Sequence, residues 1–325
     1  MSSMSRHAEP LLRVLRAALV EARKEDDPPW LIEGLWGAGA VGVIGGSPKS
    51  GKTWLALEMA VAVASGRPFL GRFSVPRPGP ALVLAAEDTP VSVRERLEHL
   101  AQARGADFSA LDVHLILEPA VRIDHLEDRT RLRATVAHYR PRLLVLDPYV
   151  RLQSGVDEND ATEVSAILGT LRELSRKESV AIVLVHHTRK GGAEDPGQGL
   201  RGSGDFHAWG DSNLYLRRRR DSISLAIEHR AAASPPPLTL ALVDDEGPVR
   251  LEIQESPIAM HCDSPLLTER ILAELEKAGP LWKNELRARL RVRNQDLAEA
   301  LASLTGAARI ARTPGGWTRS GSPIP

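Results

Sequence analysis

Residues 43–54 read VIGGSPKSGKTW, and this stretch constrains the fold more than any other. Gly46 is followed, after four residues, by Gly51, Lys52 and Thr53, the spacing of a Walker A loop. The run before it, 40–44, is short and apolar, and the run after it, 51–65, reads as a helix. A strand turning into a helix through such a loop implies a parallel strand buried on both faces and a helix packed on the sheet. The glycines let backbone N–H groups converge on phosphate oxygens, and the helix N-terminus adds a favourable dipole. Lys52 supplies a cation to the β- and γ-phosphates, and Thr53 a hydroxyl for Mg²⁺. A glycine-rich turn without a ligand is the alternative. The motif stands in the context it requires, so Gly46, Ser47, Pro48, Lys49, Ser50, Gly51, Lys52, Thr53 and Trp54 are read as an ATP-binding loop.

The following chain keeps the same rhythm. Short runs rich in Val, Ile and Leu at 81–86, 142–147 and 180–186 alternate with helical stretches near 90–104, 124–139 and 160–177. Strand–helix alternation of this kind builds a parallel sheet flanked by helices. After Asn213 the pattern changes. NLYLRRRRDSISLAIEH (213–229) reads as two strands joined by a polar turn, and PLTLALVD and VRLEIQE continue as short strands. These are expected as an antiparallel extension on the edge of the parallel sheet. The run Arg217–Arg220 then reads as an edge-strand guard against aggregation.

Three strand ends carry chemistry. RLLVLDP (142–148) brings Asp147 to the sheet edge where the loop lies, placed to hold magnesium directly or through water. ALVLAAEDTP (81–90) ends in Glu87-Asp88. A glutamate there can orient and deprotonate water in line with a γ-phosphate, while Asp88 or Thr89 caps the next helix. IVLVHHTRKGG (182–192) ends in His186-His187, read as a γ-phosphate sensor. Adjacent strand residues point to opposite faces, which argues against a two-histidine metal site. The polar loop 188–204 follows, and its Arg189, Lys190 and Arg201 are candidates for touching nucleic acid.

Charge balances over the whole chain, with 42 Lys and Arg against 42 Asp and Glu, but not along it. Residues 264–325 hold ten basic and six acidic side chains, a basic tail on a mildly acidic body. In that tail three short helical stretches precede ARIARTPGGWTRS, a hairpin with a Pro-Gly-Gly turn. Three helices and a hairpin are expected to form a winged helix-turn-helix. Arg293, Asn294 and Gln295 would open its recognition helix, and Arg312 and Arg319 would lie on the wing as DNA contacts. A protein-binding or packing module is the alternative. The expected organisation is an N-terminal helix or arm at 1–27, a nucleotide-binding domain at 28–255, a linker at 256–265 and the winged-helix domain at 266–325. The stretch 11–20, LLRVLRAALV, is broken by Arg13 and Arg16 and reads as an amphipathic helix, neither a signal peptide nor a membrane span. The single cysteine, Cys262, permits no intrachain disulfide and fits a reducing cytoplasm.

The strings PPWLIEGL, GGSPKSGKTWLALEMAVAVASGRPFLG, LVLAAEDT, LLVLDPYVRL, VLVHHTRKG and LRGSGDF, in this order over residues 28 to about 215, resemble the RecA-like ATPases. Within them the chain looks most like the RepA branch of hexameric replicative helicases of plasmids and mobile elements. The resemblance implies an α/β fold: a RecA-like P-loop NTPase core, parallel sheet with antiparallel extension, to which the winged helix-turn-helix would be added. It implies ATP and Mg²⁺ at subunit interfaces of a homo-oligomeric ring acting on DNA. It puts the catalytic glutamate on Glu87, the magnesium aspartate on Asp147 and the sensor on the histidine pair, foremost His187. It also implies an arginine finger at the end of a late strand, where Arg230 stands in IEHRAA. Related helicases often carry a lysine two residues earlier, where this chain has Glu228. A solvated strand-end charge is the other reading of Arg230. For the whole chain the alternatives to a motor are a RecA-like switch or loader and a nucleotide-gated DNA-binding regulator. A nucleoside monophosphate kinase fits the histidine pair and the LRGSG loop poorly.

Overall fold

The computed structural model describes residues 15–21, 27–118, 121–153, 160–188, 204–219, 222–245, 247–254, 267–290, 292, 294–307, 309–313 and 315–320. The chain divides into two compact units, Met1–Gln254 and Glu255–Pro325.

The first unit begins with a small antiparallel pair, β1 (Trp30–Ile32) and β2 (Trp36–Gly37). Then come β3 (Val41–Gly46), α1 (Lys52–Ser65), β4 (Ala81–Ala85), α2 (Pro90–Ala103), β5 (Val113–Leu115), α3 (Leu126–Tyr139), β6 (Leu143–Asp147), α4 (Ala161–Glu178) and β7 (Ala181–His187). The short α5 (Asp205–Trp209) leads into β8 (Ser212–Arg219), β9 (Ser222–His229), β10 (Leu238–Val243) and β11 (Arg250–Gln254). Nine of the described strands form one sheet in the order β11-β10-β9-β8-β3-β7-β6-β4-β5.

Burial explains the order. β3 and β6 are buried along their whole length and β7 along all but its last residue, as strands covered on both faces must be. Side-chain alternation sorts them into two layers. Ile44, Val83, Val145 and Val183 pack with α1 and α2, while Val43, Leu82, Leu144 and Ile182 pack with α3 and α4. The middle of α1 is buried from Leu55 to Val63, including Glu58, whose carboxylate accepts from Leu70 N at 3.1 Å and Arg104 Nε at 2.5 Å. Arg104 Nη2 donates onward to the Leu251 carbonyl at 2.7 Å, which fastens β11 to the helical layer. Local signals set the helix ends: Thr89 caps α2 by accepting from Ser92 N, ahead of Pro90, and Gly66 closes α1 at φ 72°.

Several expectations are corrected. β8 pairs parallel with β3, Gly46 opposite Leu216, so the antiparallel extension starts at β9. With β3 on one side and β9 on the other, β8 is an interior strand, and Arg217–Arg219 guard no edge, Arg220 lying outside the described residues. The stretch 28–39, read from its turn chemistry and scattered large apolar residues as an arm packing on the body, does pack there, with Leu31, Ile32, Leu35 and Trp36 buried in the core, and it does so as a strand pair that was not expected. β5 was not expected. Of the expected N-terminal helix, the described residues show only a 3₁₀ turn at Ala17–Leu19, with Leu15, Leu19 and Val20 exposed.

The second unit consists of α6 (Leu267–Ala278), α7 (Lys283–Leu290), α8 (Asn294–Gly306) and the antiparallel hairpin β12 (Ile310–Thr313) and β13 (Gly316–Arg319). Ile271, Leu275, Leu286, Leu297, Leu301 and Ile310 form its core. The hairpin returns against Leu281, which bridges Trp317. Gly316 permits this approach: its φ is 122°, and a Cβ there would lie 2.5 Å from the Leu281 carbonyl. The expected linker at 256–265 lies outside the described residues. No helix among the described residues is long and apolar enough to cross a membrane.

Candidate functional site

The loop between β3 and α1 leaves the sheet at the C-terminal edge of the parallel strands, where crossover folds place their ligands. Its first glycine is dictated by packing. A Cβ on Gly46 would lie 2.7 Å from the Leu216 carbonyl and 2.6 Å from Ser50 Oγ. The loop's turn uses positive φ at Lys49 (63°) and Gly51 (95°), and Ser50 N closes it on the Ser47 carbonyl at 3.2 Å. Lys52 opens α1, and its Nζ reaches back across the concavity to the Ser47 carbonyl at 2.9 Å. Burial lowers the Lys52 ammonium to about 8, against the opposing pull of Asp147 and Glu87.

Around this loop lies a cleft of about 500 Å³. Pro48 through Trp54 line it together with Glu87, Asp88, Arg96, Asp147, His187, Arg218, Ile223 and Leu242. Four strand ends, each read separately from the sequence, therefore converge on one concavity. Gly46 and Ser47 shape the loop's root without lining the cleft.

Asp147, the last residue of β6, is buried and accepts a hydrogen bond from the Thr53 hydroxyl. Burial raises its carboxyl to about 6, opposed by the Thr53 bond and Lys52 and reinforced by Asp88 and Glu87. A carboxylate facing a hydroxyl is a hard oxygen pair of the kind that would suit Mg²⁺. No cluster of three or more His, Cys, Asp or Glu side chains among the described residues forms a self-sufficient metal cage.

Glu87 and Asp88 follow β4 and differ in commitment. Asp88 is gripped by both guanidinium nitrogens of Arg96, at 2.8 and 3.0 Å. Glu87 is 44% exposed and accepts from Arg151 Nε at 2.9 Å. Among the described residues Glu87, the more exposed of the two, holds a single contact, whereas Asp88 is tied by two contacts to α2. The histidines part company as strand alternation requires. His187 lines the cleft. His186 is 1% exposed and lies in an aromatic cluster, stacked on Phe206 at 4.3 Å and edge-on to Tyr149 at 5.5 Å. The sensor reading is therefore corrected for His186, which packs the core on the opposite face.

Arg230 lies elsewhere. Its backbone N–H donates to the Asp211 carbonyl, and Asp211 N donates to the Val41 carbonyl, at the start of β3. Gly46 ends β3 five steps later, about 17 Å along the strand, so Arg230 sits at the opposite edge of the sheet from its own chain's loop. Glu228, two residues earlier, pairs with His207 at 3.5 Å.

Arg96, Arg218, Ile223 and Leu242 were missed. Arg218 Nη1 donates to the Lys49 carbonyl at 3.3 Å. The signal for it is register: with Leu216 beside Gly46, residue 218 must flank the loop. Arg96 also lies over the Trp54 ring, 5.8 Å from its centroid. Among the DNA candidates, Arg189, Lys190, Arg201 and Arg293 lie outside the described residues, as do the side chains of Asn294 and Gln295 at the start of α8. Arg312 is exposed on β12. Arg319 on β13 is paired with Glu276 at 2.6 Å.

Comparison with solved structures finds a chain from a structure described as that of a DnaB-like replicative helicase and its interactions with primase. The match covers 66% of this chain and 59% of that one, with a TM-score of 0.52 and 16% identity. It shows a shared fold, consistent with the parallel-rich sheet of a RecA-like core, and this chain spans less than two thirds of that chain's length. A family model described as an AAA domain matches residues 7–193, more than half of the sequence and the stretch holding Lys52, Glu87, Asp147 and His187. On the strength of that match the chain belongs to the AAA domain family.

Proposed function

We propose that this chain is an ATP-hydrolysing motor of the RepA helicase type that acts on DNA and works as a ring, with a site completed by a neighbouring subunit. One observation carries the reading: Lys52, Thr53, Asp147, Glu87 and His187 converge on a single cleft. Lys52 neutralises charge at the β- and γ-phosphates, while Thr53 and Asp147 hold Mg²⁺. Bound there, Mg²⁺ would supply positive charge against the negative charge that develops on the phosphates. Glu87 orients water opposite the leaving oxygen and takes its proton as the water oxygen bonds to the γ-phosphorus. The bond to the β,γ-bridging oxygen breaks, leaving ADP and phosphate. His187 donates a hydrogen bond to the γ-phosphate and so distinguishes the two nucleotide states. Support for DNA as the track comes from the fold shared with a DnaB-like replicative helicase.

The test is ATP turnover with and without single-stranded DNA, alongside mass photometry, with Lys52→Ala as the zero point. A motor is expected to turn over faster on DNA and to do so as a ring, hexameric by the RepA resemblance. DNA-independent turnover in a monomer or dimer would overturn the motor in favour of a switch or loader.

The second unit is proposed as a winged helix that binds duplex DNA. Its three helices and hairpin would place α8 in the major groove and Arg312 on the wing. Arg319, neutralised by Glu276, would contribute little. Deleting residues 264–325 is expected to leave basal turnover intact and to remove a salt-sensitive part of duplex binding, because phosphate contacts release counterions. Unchanged duplex affinity in fluorescence anisotropy would assign this unit to a protein partner.

A further inference from the structure

Asp211 lies between α5 and β8, and its carboxylate gathers three donors. Arg172 Nη1 lies 3.1 and 3.0 Å from its two oxygens, and Val41 N donates to Oδ2 at 3.3 Å. Arg230 Nη1 lies 3.5 Å from Oδ1. The mount is stiff. Arg172 comes from α4, also donates to the Trp209 carbonyl, and covers the Trp209 ring at 5.9 Å. Trp209 in turn donates from its indole nitrogen to the Leu168 carbonyl at 2.8 Å. Arg230 has a second hold, from Nη2 to the Ala208 carbonyl at 3.0 Å.

We propose that Asp211 is the positioning residue for Arg230, holding its guanidinium at a fixed place on the subunit surface for delivery to the nucleotide bound by a neighbouring chain. The inference rests on the reading of Arg230 as a finger acting in trans. A 59%-exposed arginine on a strand end would otherwise sample many rotamers, and orienting a reacting group before contact is a major source of rate. The distances suit a temporary hold. Arg172 takes the shorter bonds to the carboxylate, and Arg230 keeps the longer one, so Arg230 can be given up to a stronger anion. Arg172 and Arg230 share the one carboxylate, so Asp211 keeps a partner when Arg230 leaves it. Asp211 acts through Arg230 and touches no substrate itself.

The test uses the full chain with Asp211→Asn. Turnover is expected to fall roughly ten- to a hundredfold with the KM for ATP unchanged, because the variant's own loop, at the far end of β3, is intact. In an Arg230→Ala background the same substitution should cost nothing further. Mixed oligomers assign the defect to a side of the interface. Asp211→Asn subunits should regain activity with Glu87→Gln subunits, which still offer a good arginine, and regain none with Arg230→Ala subunits, which do not. Full or raised turnover of Asp211→Asn would overturn the proposal. So would rescue by Arg230→Ala subunits, since it would place the damage on the nucleotide-holding side. If Asp211→Asn fails to assemble, Asp211→Glu, which keeps the charge and moves it by one methylene, is read by the same mixing. Full activity of Arg230→Ala alone would remove the finger reading itself. An inactive Arg230→Ala beside a fully active Asp211→Asn would remove only the positioning role.

Discussion

Arg230→Ala is expected to bind ATP as the unaltered chain does and to hydrolyse it about 10³–10⁵ times more slowly, the range over which an arginine finger acts on phosphoryl transfer. Arg230 lies at the opposite edge of the sheet from Lys52 of the same chain, so its loss should not disturb nucleotide affinity. The missing charge belongs to the transition state of another subunit's reaction. Specific activity of the unaltered chain should therefore rise with protein concentration through the assembly range, while Arg230→Ala stays nearly inactive at every concentration. Mixing it with Glu87→Gln should restore part of the rate, because some interfaces then pair a sound glutamate with a sound arginine. If mixing is verified and no activity returns, Arg230 is a surface charge. The finger would then have to be sought in Arg201 or the run from Arg217.

Glu87→Gln carries the second large effect. The amide keeps the size of the side chain and can still meet Arg151, but it cannot take a proton from water. Turnover should fall by roughly two or more orders of magnitude with ATP binding retained, the scale of a lost general base. Asp88→Asn should be milder, since Asp88 is engaged in a two-pronged ion pair with Arg96 of α2. Phosphate release and nucleotide titration on the two variants separate these roles. A severe Asp88 defect beside a mild Glu87 one would move the water-activating group by one residue.

Much of this was legible in the sequence because the signals are local. The loop, the buried strands and the Thr89 cap each depend on residues within a few positions of one another. What was not legible depends on pairing at long range. Nothing in SNLYLRRR states that this strand runs parallel to β3, since direction is set by a partner some 170 residues away. Once that pairing was misread, Arg218 became an edge charge instead of a neighbour of the loop. The histidines show the same limit. Alternation says that one of His186 and His187 faces the cleft, but only Phe206 and Tyr149 decide which. Arg151 meets Glu87 because two strand ends are adjacent in space, and Arg96 meets Asp88 because α2 carries it back over Trp54. The pair β1 and β2 and the strand β5 are too short to register as periodic patterns.

The position of β3 between β7 and β8 also has a consequence for how the chain matures. Each partner of β3 is made late: Val41 meets Ile182 and Ile44 meets Leu214, separations of about 140 and 170 residues. Contacts this distant form slowly, because most of the chain must be ordered before they stabilise it. During synthesis the nucleotide loop emerges early, yet the backbone that closes its root, the carbonyl of Leu216, emerges only after two thirds of the chain. The stretch matched by the family model ends at residue 193, one strand short of that closure. A nascent or truncated chain of that length would carry the whole motif with one side of β3 bare, an open template for pairing with other strands. Closure of the loop's root thus waits until about two thirds of the chain has been made, when β8 covers the bare side of β3 and hands the open edge on to β9.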